Sequence, residues 1–326
     1  SLVDDLESVE LLAEIGVVVL LFTVGLEISL SRLLAMLPLM VSIGLPQIAG
    51  TTFLIAAACR WHVGTLPQAI FAGLLIAMSS TAIVLKLLSD RSQSGTQAGR
   101  ISISVLLLQD LFVIVAMLAV PLLAASAGVN ATPNNANASH QSTQVLVENP
   151  FLAVLLGFSI VVGVLLAGRQ FIPKVLHEVV RLRNRELFLI TLVLICLGTA
   201  AITAAAGLSL AIGAFIAGLA LSESEYGHQA FAEVLPFRDT LASLFFVSVG
   251  MLLDISFVFS HFGLVCLVVF VIVLLKIFAT AIPAMFAGFP VRTSLIAGGT
   301  IAQVGEFSFV LGSRGADVGL LTGDDY

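Results

Sequence analysis

Few side chains in this sequence can do chemistry, and one of them sits in an expensive place. Asp110 closes the stretch Leu106-Leu107-Leu108-Gln109-Asp110 inside the apolar run 101–125. It lies about 13 Å along a helix from Ile101, near the middle of a hydrocarbon core roughly 30 Å thick. A carboxylate at that depth costs about 3 kcal/mol or more and normally faces a cavity or a partner. Desolvation favours the protonated acid and a bound cation favours the carboxylate, so a proton and a metal cation compete for one group. If access to the group alternates between the two sides of a membrane, competition becomes exchange.

Four further features share that depth. Met78-Ser79-Ser80-Thr81 clusters hydroxyls in the third apolar span. Such a cluster marks a helix that breaks in mid-membrane or a small-residue packing face. Gly298-Gly299-Thr300-Ile301-Ala302-Gln303-Val304-Gly305-Glu306 makes a poor continuous helix, and a break is expected there too. Paired interrupted spans point to a transporter binding site, because half-helix ends bring partial charges to the midplane. Lys276, in the middle of the run 262–287, needs a partner or an adjustable protonation state. The glycines Gly207, Gly213 and Gly218 read as close helix packing. The expected ion and proton site is Asp110 with Gln109, Ser80 and Thr81, where Gln109 orients the acid or adds an oxygen. Ser80 and Thr81 supply hydroxyl or carbonyl oxygens suited to a hard monovalent cation. Lys276, Gln303 and Glu306 are assigned electrostatic or structural roles, Glu306 being the next candidate carrier.

These groups must be positioned by membrane-spanning helices. The chain of 326 residues is 59% hydrophobic and 10% charged, with mean hydropathy +1.13. Apolar runs longer than about 18 residues recur without the alternation of barrel strands, so the fold class is all-α and polytopic. Ten spans are expected, near 11–30, 36–58, 68–89, 101–125, 151–168, 187–205, 208–222, 238–253, 262–287 and 293–313. With 169–186 as a basic cytoplasmic loop (Arg169, Lys174, Arg181, Arg183, Arg185), alternation also puts Arg32, Lys86, Arg91, Arg100, Arg238 and Arg292 inside. Only Arg60 and Arg314 then fall outside, a distribution that supports the orientation. Residues 126–149, rich in Asn, Ala and Ser, read as a flexible external loop, with sequons at Asn130 and Asn137 that carry no weight in a bacterial protein. The inside segment 222–238 reads equally as a connector or as a surface helix. Cys59, Cys196 and Cys266 read as small core residues, and the five histidines form no ligand motif. No dense basic stretch suggests nucleic acid. No enzyme is expected: Ser80 has no histidine at depth to activate it.

In this order, A-E-I-G-V-V-V-L-L-F-T-V-G-L-E (13–27), M-S-S-T-A-I-V (78–84), V-L-L-L-Q-D (105–110), G-A-F-I-A-G-L-A-L-S-E-S-E-Y (213–226), L-F-F-V-S-V-G-M (244–251), L-L-K-I (274–277) and Q-V-G-E-F-S-F-V (303–310) resemble the monovalent cation:proton antiporter superfamily, specifically its Kef-type potassium efflux branch. The resemblance covers nearly the whole chain. It implies an inverted-repeat fold with two discontinuous crossover helices, of about thirteen spans when complete, in which a core domain moves against a dimerisation domain. It implies homodimers in a bacterial inner membrane that exchange K⁺ or Na⁺ for H⁺. It makes Asp110 the carrier, Gln109 its neighbour, Lys276 the buried lysine and Ser79–Thr81 the first crossover. A Gln before the Asp is similar to members expected to exchange one cation for one proton.

Residues 1–326 are thus expected to be a single transmembrane transporter domain, cut from a longer chain that carries about two further N-terminal spans and one C-terminal span. The family's cytosolic nucleotide-binding domain or an ancillary subunit is expected outside it, and no cofactor within it, since no G-x-G-x-x-G occurs. The segment H-Q-A-F-A-E (228–233) stands where Kef proteins carry an acidic regulatory loop. A gated K⁺ efflux channel in the same frame is one alternative, and a sodium-coupled organic anion symporter another. The symporter needs more basic groups facing its cavity than Lys276 alone.

Overall fold

A computed structural model describes residues 6–27, 30–60, 65–127, 150–205, 210–251 and 255–321. Every regular element among them is helical, and they divide into two compact units. The expected external loop, with Asn130 and Asn137, lies outside the described residues apart from its first two positions, and so does Gly207.

The first unit spans Ser1–Arg32 and Pro133–Leu253. Its helices are α1 (Leu6–Glu27), α7 (Pro150–Arg181), α8 (Arg185–Ala205), α9 (Leu210–Ser222) and α10 (Gly227–Met251). α9 is buried along almost all of its length between α1, α7 and α8. Small residues allow that approach. Gly25 of α1 and Gly218 of α9 face each other so closely that a Cβ on either would fall 3.0 Å from the other's Cα. Phe22, Leu176, Phe188, Leu192 and Leu221 belong to the core cluster of this unit. The segment 169–181, read from the sequence as part of a loop, instead continues α7, and only Leu182–Asn184 break the helix. Lys, Arg and Glu are good helix formers, so this basic stretch marks where the helix leaves the apolar layer rather than where it ends. The 222–238 segment is likewise helical from Gly227 onward.

The second unit spans Leu33–Thr132 and Asp254–Tyr326. Helix α2 (Leu30–Leu39) runs through a π-turn at Met40–Gly44 into α3 (Leu45–Cys59). Pro46 offers no N–H and crowds the carbonyl four residues back, which the wider turn accommodates. α4 (Leu66–Ala77) opens on a capping box between Thr65 and Gln68, and α5 (Thr81–Asp90) follows after three non-helical residues. α6 (Gln97–Ser126), capped by Thr96, carries Gln109 and Asp110. The short α11 (Ile255–Ser260) precedes α12 (Phe262–Phe286), after which come α13 (Val291–Thr300) and α14 (Glu306–Asp317). α6 packs against α3, α4, α5, the π-turn, α13 and α14, so it is the axis of the unit. Ile43, Val84, Leu88, Ile101, Val105, Ala297 and Ile301 form the core there.

Among the described residues, Leu33–Cys59, Gln97–Ser126, Arg185–Ala205 and Phe262–Phe286 are long and apolar enough to cross a membrane. α12 exposes Leu267, Phe270, Val271, Leu274 and Phe278, a face made for lipid, and buries Lys276, Thr280 and Ala284 on the opposite stripe. The two spans expected to break do so. Residues 68–89 become α4 and α5 around Met78–Ser80, and residues 293–313 become α13 and α14 around Ile301–Gly305.

Candidate functional site

An interrupted helix in an apolar layer must satisfy freed carbonyls at one half-helix end and freed N–H groups at the other. The two breaks meet, and their backbones supply part of the answer. Gly305 N–H donates to the Met78 carbonyl at 3.1 Å. Glycine is required at this crossing for space, because a Cβ on Gly305 would lie 2.5 Å from the Ser79 carbonyl carbon and 2.7 Å from the Ser80 nitrogen. The Ser79 hydroxyl donates to the Ile301 carbonyl at 2.8 Å, and Gln303 Nε2 donates to the Ser80 carbonyl at 3.2 Å. The Ser308 hydroxyl donates to the Leu75 carbonyl, tying α14 to the last turn of α4.

Lys276 closes the crossing. It is 0% exposed, and its ammonium donates to the Met78 carbonyl (2.8 Å), the Ser79 hydroxyl (3.0 Å) and the Gln303 carbonyl (2.6 Å). Those three bonds use all three of its donors. Met78 follows the C-terminus of α4, and Gln303 lies just beyond that of α13. A cation therefore sits where two half-helices direct their negative ends.

The acids occupy the opposite ends. Asp110 is 3% exposed and accepts the Thr81 hydroxyl at 2.9 Å on one oxygen and 3.1 Å on the other. Thr81 is the first residue of α5, whose N-terminus favours a carboxylate. Ser80 caps the same helix, its hydroxyl accepting Ile83 N–H at 3.4 Å. Glu306 is the first residue of α14 and is 8% exposed. Each break thus presents a helix N-terminus associated with one buried acid.

Gln109 serves the first break rather than standing free. Its oxygen accepts Ser79 N–H at 2.8 Å, and its nitrogen donates to the Ala77 carbonyl at 3.1 Å and to Gln47 Oε1 at 2.8 Å. Gln47, on α3 and 0% exposed, donates in turn to Thr51 Oγ1 at 3.3 Å and to the Ala77 carbonyl at 3.4 Å. Gln47 was absent from the sequence-derived site. The available signal was a lone amide inside an apolar run directly after a proline, the same kind of signal that singled out Lys276.

The structure therefore gathers Ser79, Ser80, Thr81, Gln109, Asp110, Lys276 and Gln303 into one hydrogen-bonded cluster inside the second unit, with Glu306 adjoining Gly305 at its edge. The cluster pairs a buried acid with a hydroxyl donor and braces the surrounding backbone with a lysine and two amides. It presents oxygen atoms and no thiolate or imidazole, a set suited to protons and hard cations.

A family model described as "Sodium/hydrogen exchanger, transmembrane" matches residues 1–326. Among curated proteins, "K(+) efflux antiporter 2, chloroplastic" of Arabidopsis thaliana is 33% identical over 323 residues, covering 99% of this chain and 27% of that protein. "K(+) efflux antiporter 1, chloroplastic" of the same plant is 32% identical over 323 residues, covering 99% of this chain and 26% of its own length. The chain spans about a quarter of the length of these relatives.

Proposed function

The chain belongs to the sodium/hydrogen exchanger, transmembrane family, and from that membership we propose that it exchanges a monovalent cation for H⁺ at Asp110 by alternating access. The observation that carries the proposal is a buried carboxylate at a helix break, held by the hydroxyl of Thr81, the first residue of α5. In one state Asp110 is protonated. In the other it is ionised and binds the cation, with Thr81 donating to it throughout. The two cannot coexist on one group, so the protein carries each across in turn. Both relatives are named as K⁺ efflux antiporters, which makes K⁺ the first cation to test and Na⁺ the second.

Lys276 neutralises the negative half-helix ends and holds the two breaks together, while Gln109 and Gln47 fix the end of α4. The meeting of two interrupted helices from different stretches of the chain supports an inverted-repeat transporter frame. Homodimer assembly and a cytosolic nucleotide-binding regulator or ancillary subunit belong to the same proposal, on the strength of the Kef-type resemblance. So does a bacterial inner membrane, into which the basic-inside charge distribution would orient the chain. The chloroplastic names describe the relatives.

The test uses the full-length parent protein in proteoliposomes with a pH dye inside. An imposed K⁺ gradient is expected to drive proton movement in the wild type and none in Asp110→Asn. Cation flux without proton movement overturns exchange. Proton exchange surviving in Asp110→Asn moves the carrier elsewhere, with Glu306 first in line.

A further inference from the structure

Three buried side-chain polar atoms among the described residues lack a hydrogen-bond partner: the hydroxyls of Thr52 and Ser102 and the amide oxygen of Gln303. The hydroxyls lie within α3 and α6, where rotation brings a neighbouring backbone carbonyl into reach. Gln303 Oε1 has no such freedom. Its own Nε2 is committed to the Ser80 carbonyl at 3.2 Å, and flipping the amide would set oxygen against oxygen. The Lys276 ammonium is also unavailable, since it spends one of its three donors on the main-chain carbonyl of Gln303 and the others on Met78 and Ser79. An acceptor is thus held without a donor at the crossing of the two breaks. Its anchor, Ser80, is bonded directly to Thr81, which holds Asp110. A buried amide oxygen is expensive to leave unmatched and is retained where a ligand repays it.

We propose that Gln303 Oε1 is a ligand of the transported alkali-metal cation, a neutral oxygen supplied by the second helix break to complement the charge of Asp110 from α6. The inference rests on the exchange mechanism proposed above and gives Gln303 a role beyond electrostatics or structure. Hard monovalent cations favour carbonyl-type oxygens, and a rigid one selects among cations by size. Because the oxygen is neutral, it binds the cation and is indifferent to the proton. That asymmetry separates a ligand from a structural brace.

The experiment measures exchange in proteoliposomes of the full-length parent protein, with K⁺ and Na⁺ varied separately. In Gln303→Met the cation KM is expected to rise about tenfold or more with the maximal rate nearly kept, the scale of one lost polar contact. The K⁺-to-Na⁺ preference is expected to change as well. Gln303→Glu, which keeps an oxygen and adds charge, is expected to lower the cation KM below the wild-type value. A Gln303→Met variant that loses maximal rate equally for both cations at unchanged KM overturns the proposal. If that variant fails to fold, Gln303→Glu decides alone: a lowered cation KM supports the ligand, and an unchanged or raised one refutes it. Loss of these effects in a protein whose wild type still exchanges sinks only this inference. A wild type without cation-driven proton movement sinks the exchange mechanism itself.

Discussion

The crossing of the two breaks makes Gly305→Ala a sharp perturbation. The backbone at Gly305 is extended, with φ −96° and ψ 172°, so an alanine meets no conformational strain there and the effect is steric. Its Cβ would stand 2.5 Å from the Ser79 carbonyl carbon, 2.7 Å from its oxygen and 2.7 Å from Ser80 N, all of them backbone atoms. Ordinary contact begins near 3.4 Å, so the breaks must part by roughly 1 Å. That separation strains the 3.1 Å bond from Gly305 to Met78 and the Lys276 ammonium that spans Met78 and Gln303. Overpacking costs about 1–3 kcal/mol and a lost hydrogen bond about 0.5–1.5 kcal/mol, so the total is about 2–4 kcal/mol. Gly299→Ala is the matched control: nothing lies within 4 Å of its added Cβ, and the helical site gains up to about 1 kcal/mol from alanine. Thermal unfolding of the detergent-solubilised full-length protein is the assay. Gly305→Ala is expected to melt clearly below the wild type, with exchange lost, and Gly299→Ala at or above it. Equal melting temperatures for the two variants would refute the crossing.

Thr81→Val removes the hydroxyl that donates to both Asp110 oxygens while keeping its shape. That bond is worth about 1.5–3 kcal/mol to the carboxylate and about 0.5–1.5 kcal/mol to the protonated acid, so its loss shifts the competition towards the proton by about 1–1.5 kcal/mol, and the K⁺ needed for half-maximal exchange at fixed pH rises roughly tenfold. An unchanged K⁺ dependence contradicts this. Lys276→Met orphans chiefly the Gln303 carbonyl, because Met78 keeps Gly305 N–H and the Ser79 hydroxyl keeps Ile301. Its cost is about 1–3 kcal/mol, less whatever is recovered by no longer burying a charge, so a lowered melting temperature in a folded protein is expected rather than collapse. Gly218→Ala forces α9 from α1 in the unit that does not hold Asp110, with Leu26 N only 2.9 Å from the new Cβ. It is expected to lower stability by about 1–3 kcal/mol and to leave the cation KM unchanged, as transport kinetics on the folded fraction would show.

What the residues revealed beforehand follows their physics. The hydroxyl run at 79–81 and the glycines at 298, 299 and 305 are poor continuous helix, and both spans break among them. Asp110 and Lys276 stood out because charge in an apolar run has few explanations. Partnership was not legible. Lys276 joins residues 198 and 27 positions away, a closure that only the folded chain displays. Gln109 looked like the partner of Asp110 because they are adjacent, yet neighbouring residues on a helix face different directions. Gln109 turns to α3 and α4, and Asp110 to α5. The 169–181 stretch looked like a loop because charge marks the membrane boundary, whereas helix continuity depends on propensity, which Lys, Arg and Glu satisfy.

A proton and a cation that compete for Asp110 must displace one another, so cation binding must release protons. Potassium chloride is added to the weakly buffered full-length protein in detergent below its pH optimum, and the pH of the solution is read. The wild type is expected to release protons in proportion to the cation bound, Asp110→Asn to release none, and choline chloride to have no effect on either. Potassium that binds without releasing protons, or a release that persists in Asp110→Asn, rules out competition at Asp110.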